Sequence, residues 1–500
     1  MQLRLLYWLN IRRLAGIILF VAIFAMAARA PADTDTWWHL QAGRVTVTDG
    51  HILQTDVFSH TRQGQPWVNH SWLSQVILYL LFRSAGYAGL GVFQAVVVTA
   101  AFVFVYLQME GDVFSRAFIL VLAAATSSVV WIARPQLLSF LLTAVLCYLL
   151  YLYKWRSLNR LWLIPPLFVL WVNLHAGYAL GFMVLVGFVA GEALNNLLAR
   201  LSPGEDPVLP GRDIGAVVLV AMISALALVL NPNTTRMWTY YLDTVRIGVL
   251  QDFIQEWRSP DFHPLYAQSF IWLLLGTMAA MGLSRRRVDG TDLALVAGFA
   301  YAALLAGRNI GPFALVAAPA LSRYAHSLLT QWGEAARARG WLGPPRPVGL
   351  FRSPGKAVLN WVLLIGVLVA AGFKAAAPLR PDFNIAHERE TLPLGAIEWI
   401  QEHRPTGPMF NSYNWGGYLI WHLWPDYQVF VDGRTDLYGD ELLSQYLDVR
   451  AARPGFRQVL ERYGIRLIVV ESDSFLARFL KLDPDWELLY EDAVAVVYVR

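Results

Sequence analysis

Long apolar runs, separated by short polar segments, recur along the first three quarters of the chain. A helix that crosses a bilayer needs about 20 mostly apolar residues, and the pattern predicts about eleven such helices. They cover residues 14–31, 88–108, 117–133, 136–153, 160–174, 177–197, 214–230, 267–283, 292–307, 309–324 and 357–376. The apolar segment WLSQVILYLLFR, at 72–83, is too short to span and predicts a helix lying in the membrane interface.

After residue 376 the apolar runs become shorter and the charge density rises. LPLGAIEWIQEH and GFRQVLERYG have helical periodicity, YQVFVDG and IRLIVVES predict strands, and WELLYEDAVAVVYVR predicts a hairpin turning at Glu491 and Asp492. FNSYNWGGYL and FVDGRTDLYG are typical of turns, with Asp432 and Arg434 as a structural pair. Because helices and strands alternate, this region predicts a small soluble α/β domain.

The predicted fold is therefore an α-helical polytopic membrane protein with a C-terminal soluble α/β domain. The transmembrane domain covers residues 1–376 and the α/β domain covers 380–500. Composition agrees, because 56% hydrophobic and 15% charged residues exclude a soluble protein. The single cysteine, Cys147, lies inside a predicted span, so no intrachain disulfide can form.

Basic residues predict the orientation in the membrane. Arg4, Arg12 and Arg13 precede the first span, which places the N-terminus in the cytoplasm. Further basic residues then fall in predicted cytoplasmic loops: Lys154, Arg156, Arg160, Arg285 to Arg287, and the long segment from Arg323 to Lys356. An odd number of spans places the α/β domain outside, on a bacterial plasma membrane. This bias accounts for the net charge of +4, so no nucleic-acid partner is expected.

Polar residues that are unusual at a membrane edge gather on the predicted outer side, in two long loops, 31–87 and 231–266, and in three short joints. They are Asp33, Asp35, His39, Asp56, His60 and His70 in the first loop, Arg134, Asn173, His175 and Arg308 in the joints, and Asn231, Asn233, Asp252, Glu256, Arg258, Asp261 and His263 in the second loop. Cytoplasmic loops show mainly basic side chains. This distribution predicts a site at the outer face of the membrane.

The string DTDTWWHLQAG, which follows the first span, carries the strongest chemical signal. Asp35 and His39 are four residues apart and would share one face of a helix that Thr34 caps and Gly43 ends. A carboxylate at such a helix N-terminus is placed to orient or deprotonate a hydroxyl. Asp33 can converge with it only from an extended or turn backbone.

Other residues of the outer side have simpler interpretations beside the functional ones. Trp37 and Trp38 are typical of aromatic anchors in the membrane interface. Asp56, His60 and His70 are expected to hold the fold of the first loop. Arg134 and Arg308 suit bidentate binding of a phosphate, although a structural ion pair is the alternative for both.

The arrangement resembles the GT-C superfamily of polytopic glycosyltransferases, which includes protein mannosyltransferases, aminoarabinose transferases and oligosaccharyltransferase subunits. The resemblance rests on DTDTWWHLQAG after the first span, two long outer loops and an outer C-terminal domain, over about 330 residues of layout. The strings ARPQ, WVNLHAG and EWRSPDF also resemble those of uncharacterised bacterial membrane proteins. The C-terminal domain has no WWD motif, which argues against protein N-glycosylation.

The resemblance implies a catalytic or acceptor-orienting acid at Asp35 or Asp33. The function we expect is transfer of a sugar from a polyprenyl-phosphate donor to an acceptor whose identity the sequence does not give. Substrate contacts are predicted for His39, Arg134, His175, Glu256, Asp261 and Arg308. Asp33 and Asp35 are also the predicted ligands of a divalent cation, Mg²⁺ or Mn²⁺. The alternatives are a lipid or oligosaccharide transporter or flippase, which would bind substrate at mid-bilayer, and a non-catalytic scaffold of the cell envelope.

Overall fold

The computed structural model describes residues 7–31, 33–201, 206–249, 254–343 and 353–500. Arg4 and Asp252, which the sequence singled out, lie outside these ranges. Helices in the membrane-domain half are α1 Ile11–Ala27, α2 Asp35–Asp49, α3 Trp72–Tyr106, α4 Val113–Ser127, α5 Gln136–Trp155, α6 Ile164–Leu174, α7 Tyr178–Ala199, α8 Gly211–Ala227, α9 Arg236–Val245, α10 Leu265–Leu283, α11 Gly290–Leu305, α12 Ile310–Ala338 and α13 Pro354–Leu379.

The C-terminal part contains six helices and four strands among the described residues. The helices are α14 Pro381–Thr391, α15 Leu394–His403, α16 Gly416–Leu423, α17 Thr435–Arg450, α18 Phe456–Arg462 and α19 Phe475–Leu480. The strands are β1 Met409–Asn411, β2 Leu467–Glu471, β3 Glu487–Glu491 and β4 Ala495–Val499.

Each of the eleven predicted spans coincides with a helix. Seven helices in the described part of the chain, α3, α4, α5, α7, α8, α10 and α13, are long and apolar enough to cross a membrane. The predicted fold class, a polytopic helical membrane protein with a small C-terminal α/β domain, is confirmed. The range of α3 contains two helices, because Gly86 has non-helical dihedral angles, with φ +56° and ψ −142°. The helix predicted at 72–83 is therefore separate from the predicted span at 88–108, and its position in the membrane interface stays a prediction.

Two hydrogen bonds fix the relative direction of the first and last long helices of the membrane domain. The Asn360 side-chain amide donates to the Leu9 carbonyl at 2.8 Å, and Lys374 Nζ donates to the Ala25 carbonyl. Residue numbers therefore increase toward the same membrane face in both helices, so α1 and α13 are parallel. This agrees with an odd number of spans and places the C-terminal domain on the face where Asp33 follows α1.

At the opposite end of the helices, basic residues predicted to lie in cytoplasmic loops are buried in ion pairs. Lys154 Nζ lies 2.5 Å from Glu192 and 2.6 Å from Asp289, and all three side chains are at most 1% exposed. Arg323 pairs with Asp292 at 2.5 Å. The loop prediction was wrong for Lys154 and Arg323, because α5 and α12 extend past their apolar stretches and carry these cations into a cluster of acids.

We expect Lys154→Met to destabilise the protein by about 3–5 kcal/mol, because removing one partner of a buried pair leaves the others uncompensated. Glu192 and Asp289 would both lose their cation. The measurement is the unfolding midpoint in detergent, with Arg156→Met, an exposed neighbour, as the control. An unchanged midpoint for Lys154→Met would contradict this account of the cluster.

The C-terminal sheet has the order β1-β2-β4-β3, with β1 parallel to β2 and the other pairs antiparallel. IRLIVVES forms β2 and the predicted hairpin forms β3 and β4, as expected. YQVFVDG is not a strand of this sheet, so that prediction was wrong. Its backbone pairs with the first outer loop through Phe58 and His60 at Val429, and the Asn411 side chain accepts from the Phe430 amide.

The two faces of the sheet contact different partners because side chains alternate along β2. Ile468 and Val470 pack against α17, α18 and α19, whereas Leu467 and Val469 join a cluster with α16 and α2. FNSYNWGGYL, predicted as turns, supplies part of β1 and the start of α16.

Trp37 lies at the centre of the cluster that joins the two domains and is 1% exposed, with its ring centroid 5.2 Å from that of Tyr418. Trp38 is also buried. The prediction that both tryptophans anchor the protein in the membrane interface was therefore wrong. The C-terminal domain covers them, and that coverage brings the sheet face and the end of the membrane domain together.

Candidate active site

A cavity of about 1350 Å³ lies between the membrane domain and the C-terminal domain. Both long loops and the three polar joints contribute to its wall, as do the residues that follow β1 and precede α17. All eight residues predicted to form the site line this cavity: Asp33, Asp35, His39, Arg134, His175, Glu256, Asp261 and Arg308. The structure thus brings together residues that are up to 275 positions apart in the sequence, from Asp33 to Arg308.

Arg134 holds three carboxylates at the floor of the cavity. Its Nη1 lies 3.0 Å from Asp33, 3.3 Å from Asp35 and 3.4 Å from Glu256. Arg134 lies in a short joint between two helices, and Pro135, the N-cap residue of α5, follows it. These ion pairs are the alternative to a phosphate contact that the sequence left open for Arg134.

Asp35 opens α2, and the local sequence explains its position. Asp33 Oδ1 accepts a hydrogen bond from the Asp35 amide at 2.9 Å, and Trp38 Nε1 donates to the Asp35 carboxylate at 3.2 Å. Thr34 occupies the N-cap position but makes no side-chain cap. Gly43 does not end the helix as predicted: α2 continues to Asp49, and Gly43 lets it approach α3 so closely that a Cβ would overlap the Gln75 carbonyl.

Burial changes the acidity of Asp35. The desolvation of its side chain raises its pKa from the ordinary value to about 7, against the lowering effect of Arg134, and the nearby Asp33 and Glu256 add to the rise. The side chain is 23% exposed, and this part faces the cavity. A carboxyl group with a pKa near neutrality, open to a cavity, can exchange a proton with a bound hydroxyl.

Arg308 is the second arginine of the cavity. Its guanidinium lies over the Trp257 ring, 4.3 Å from the centroid, and burial lowers its pKa. Within the described ranges, no carboxylate lies within ion-pair distance of it. The hydrogen bond from the Gly307 amide to the Arg258 carbonyl holds this joint against the second loop. Arg308 therefore lines the cavity with a guanidinium that Glu256 favours in its charged form and that can bind an anion.

Three histidines form an uncharged part of the wall. The His70 ring centroid is 5.8 Å from that of His175 and 4.7 Å from that of Tyr240. His39 stacks on Trp38 and meets the Gln75 amide at 3.5 Å. Burial lowers the pKa of all three imidazoles, to about 4 for His70, and nearby arginines add to this effect.

The C-terminal domain supplies cavity residues that the sequence analysis did not assign to the site. Tyr413, Asn414 and the segment 433–436 line the cavity, and burial raises the pKa of Asp436. Gly433 lies so close to Asp35 that a Cβ there would overlap the carboxylate. The signal available in the sequence was the pair of aspartates in VDGRTD, which resembles the pair in DTDTWWH.

A buried ion network fixes this part of the C-terminal domain on the first outer loop. Arg434 pairs with Asp56 and Asp432, each at 2.6 Å, and all three side chains are at most 1% exposed. Asp56 also accepts hydrogen bonds from the Phe58 and Ser59 amides, as expected for a residue that holds its loop. The network connects two segments that the sequence analysis treated as separate domains.

The remaining predicted residues lie at the edge or behind the wall. Asp261 is at the rim, 65% exposed, and lies 2.5 Å from His263. Asn173 supports the wall: its amide donates to the Val169 and Leu230 carbonyls and its oxygen accepts from Trp72. His60 contacts the Met409 carbonyl, across the junction of the domains.

The contacts of Asp33 and Asp35 show whether these two carboxylates could bind a divalent cation as they stand. Within the described ranges, no group of three or more His, Cys, Asp or Glu side chains has the arrangement of a metal site. The Arg134 guanidinium contacts both Asp33 and Asp35, the predicted ligands. A cation bound by these two carboxylates would have to displace Arg134, so the donor set as it stands does not fit one.

Comparison with known proteins identifies the class to which this fold belongs. No protein-family model and no curated protein matches the sequence. The apo oligosaccharyltransferase of Archaeoglobus fulgidus matches the structure with a TM-score of 0.53 at 12% identity, over 93% of this chain and 70% of that one. Apo ArnT from Cupriavidus metallidurans matches with a TM-score of 0.51 at 15% identity, over 97% of each chain. The chain therefore has the fold of these two structures, in agreement with the GT-C fold that its sequence resembles, and its long apolar helices fit an integral membrane protein.

Proposed function

We propose that this protein is a membrane glycosyltransferase that moves a sugar from a polyprenyl-phosphate donor to an acceptor on the extracytoplasmic face. The observation that carries the proposal is Asp35: a carboxyl group whose pKa is raised to about 7, open to a large cavity that Arg308 also lines. The fold supports it. ArnT from Cupriavidus metallidurans, whose apo form has this fold, has also been solved with undecaprenyl phosphate bound.

The chemistry is a displacement at the anomeric carbon. Ionised Asp35 accepts the proton of an acceptor hydroxyl, whose oxygen forms the new bond to that carbon. The bond between the anomeric carbon and the phosphate oxygen breaks, and the lipid phosphate leaves with that electron pair. Arg308 stabilises the negative charge on the phosphate. Arg134 keeps Asp33, Asp35 and Glu256 together near the acceptor oxygen.

The position of the polar groups favours this function over transport. The cavity residues lie at helix ends and in loops on one membrane face, whereas transporters place their binding groups near mid-bilayer on broken helices. A donor held by a membrane lipid reaches such an edge without leaving the bilayer.

The direct test is transfer from radiolabelled polyprenyl-phosphate sugars by the purified protein in nanodiscs. Label is expected to move from the lipid to an added acceptor, or to water, with wild type and not with Asp35→Asn. No transfer from any of several donors, together with no binding of polyprenyl phosphate, would contradict the proposal.

The sequence-based prediction of Mg²⁺ or Mn²⁺ at Asp33 and Asp35 is untested, and none of the steps above passes through a cation. Because Arg134 already neutralises this pair, we expect transfer to continue at a similar rate in excess EDTA. The measurement is the transfer rate with EDTA and with each cation restored. A loss in EDTA that one cation reverses would instead show that the cation displaces Arg134.

Arg308→Ala is expected to weaken binding of polyprenyl phosphate by about tenfold to 100-fold, because a hydrogen bond to a charged group contributes about 1.5–3 kcal/mol. Arg308→Lys retains the charge without the bidentate geometry, and its affinity is expected to lie between those of wild type and Arg308→Ala. Binding is measured with a fluorescent short-chain polyprenyl phosphate in nanodiscs. Arg12→Ala, at an exposed position on the opposite face, is the control, and equal affinity of wild type and Arg308→Ala would contradict the assignment.

A further inference from the structure

A second cavity, of about 740 Å³, opens between α1 and α13 and shares no lining residue with the cavity of the proposed active site. We name it the α1–α13 groove and define it by Arg13, Gly16 and Phe24 on α1 and by Gly372 and Ala375 on α13. Apart from Arg13 and Thr99, all the residues that line it are apolar. The groove therefore offers a hydrocarbon surface in the membrane domain, with a cation at one end.

The groove exists because α1 and α13 are joined at two levels and lack side chains between them. Hydrogen bonds from the last helix reach the Leu9 carbonyl near one end and the Ala25 carbonyl near the other. Between these levels, a Cβ added to Gly16 or to Gly372 would meet no atom within 4 Å. Atoms that line an empty space lose dispersion contacts, so an apolar occupant would stabilise this pair of helices.

The dimensions of the groove match a single hydrocarbon chain. From Arg13 to Phe24 the helix rises by about 16 Å, which is close to half of a hydrocarbon core of about 30 Å. A helix with its side chains is about 10 Å wide, so it could not lie between two helices that are bonded at both ends. Water is disfavoured, because cavities lined by apolar side chains stay dry. One acyl chain of a lipid in a single leaflet fits both the length and the surface.

Arg13 supplies a group that can bind the headgroup of such a lipid. Its Nη1 donates to the Trp8 carbonyl at 2.7 Å, and its guanidinium lies over the Trp8 ring, 5.0 Å from the centroid. In the part of the chain that the structure describes, no carboxylate lies within 4.0 Å of it. A guanidinium held beside a half-exposed tryptophan at the start of α1 is at the level where lipid phosphates lie. Arg13 is therefore complementary in charge to a phosphate at the end of the groove.

We propose that the α1–α13 groove binds one anionic glycerophospholipid, with its phosphate on Arg13 and an acyl chain between the two helices. Arg13 lies near the start of α1 and Asp35 follows its other end, so this phosphate and that of the proposed sugar donor lie at opposite membrane faces. The site is therefore separate from the donor site and does not depend on the proposed function. A zwitterionic headgroup would bring its own cation near Arg13, so a headgroup with a net negative charge is favoured.

The test is native mass spectrometry of the purified full-length protein in detergent, titrated with phosphatidylglycerol or with phosphatidylcholine that has the same acyl chains. Wild type is expected to retain one phosphatidylglycerol and to prefer it to phosphatidylcholine. Gly16→Leu and Gly372→Leu fill the groove from opposite walls, and each is expected to weaken binding of both lipids by about tenfold or more. Arg13→Ala is expected to weaken phosphatidylglycerol binding by about tenfold, because the charge-assisted hydrogen bonds to its phosphate are lost, and to remove the preference.

Gly298→Leu and Arg12→Ala are the matched controls, because neither residue lines the groove and a Cβ at Gly298 meets nothing within 4 Å. Both are expected to bind the two lipids as wild type does. The unfolding midpoint without added lipid should be unchanged in the two groove-filling variants, which shows that they are folded. Equal binding by wild type and both of these variants, an equal loss in the controls, or no preference for phosphatidylglycerol would overturn the proposal. Displacement of phosphatidylglycerol by polyprenyl phosphate, with a loss of polyprenyl-phosphate binding in Gly372→Leu, would overturn it too, because the groove would then belong to the donor.

Discussion

Replacing Asp35 with asparagine is expected to lower the rate of sugar transfer by about 10²- to 10⁴-fold, the contribution typical of a positioned general base. Asparagine retains the size of the side chain and can still accept from Trp38, but it cannot take a proton. Binding of polyprenyl phosphate should stay within about twofold of wild type, because the phosphate is assigned to Arg308. The assay is single-turnover transfer at saturating donor, with binding measured on the same preparation.

The assignment of Asp35 as the base also predicts the direction in which the transfer rate changes with pH. The pKa of Asp35 is raised to about 7, and the reactive form is the ionised one, so the rate should rise with pH and level off above about 8. The cavity histidines do not interfere, because burial lowers the pKa of His39, His70 and His175. Arg134→Met should move the midpoint to higher pH, since Arg134 is the group that favours the ionised carboxylate. A flat profile for wild type between pH 6 and 8, or transfer by Asp35→Asn at the wild-type rate, would exclude Asp35 as the base.

The sequence predicted those features of the protein that depend on residues close together in the chain or on the number of spans. Bilayer length and apolar content locate the spans, because each helix must satisfy its own backbone in lipid. The hairpin of β3 and β4 follows from alternation and a polar turn. The gathering of Asp33, Arg134 and Arg308 at one face follows from counting spans, since every second joint returns to the same side.

What the sequence could not supply was contact between distant segments. Trp37 and Trp38 follow the first span, where tryptophans usually meet the interface, and nothing local shows that α16 covers them. The sequence around Lys154 indicates a basic residue in a cytoplasmic loop. Only the fold shows that Glu192 and Asp289 lie beside it. VDGRTD has the composition of a turn, and its position over Asp35 depends on how the sheet docks onto α2.

The C-terminal domain docks onto the membrane domain so closely at Gly433 that only a glycine fits there. This contact makes the C-terminal domain part of the proposed active site. A methyl group at this position would overlap Oδ1 of Asp35. The neighbouring Arg434 cannot relax easily, because its guanidinium is buried between Asp56 and Asp432. The C-terminal domain therefore contacts the proposed base at Gly433, and Arg134 pairs with the same carboxylate.

Gly433→Ala is accordingly expected to lower transfer by about 100-fold, because a displacement of about 1 Å in a reacting group can cost that much. Overpacking should destabilise the fold by about 1–3 kcal/mol, which leaves a folded protein to assay. The unfolding midpoint and polyprenyl-phosphate binding are measured beside the transfer rate, with Gly215→Ala as the control because a Cβ there meets nothing within 4 Å. A Gly433→Ala protein that is folded, binds the lipid phosphate and transfers at the wild-type rate would show that Asp35 does not depend on this contact. A selective loss of transfer would instead show that the C-terminal domain positions the base, so that the two domains form a single active site.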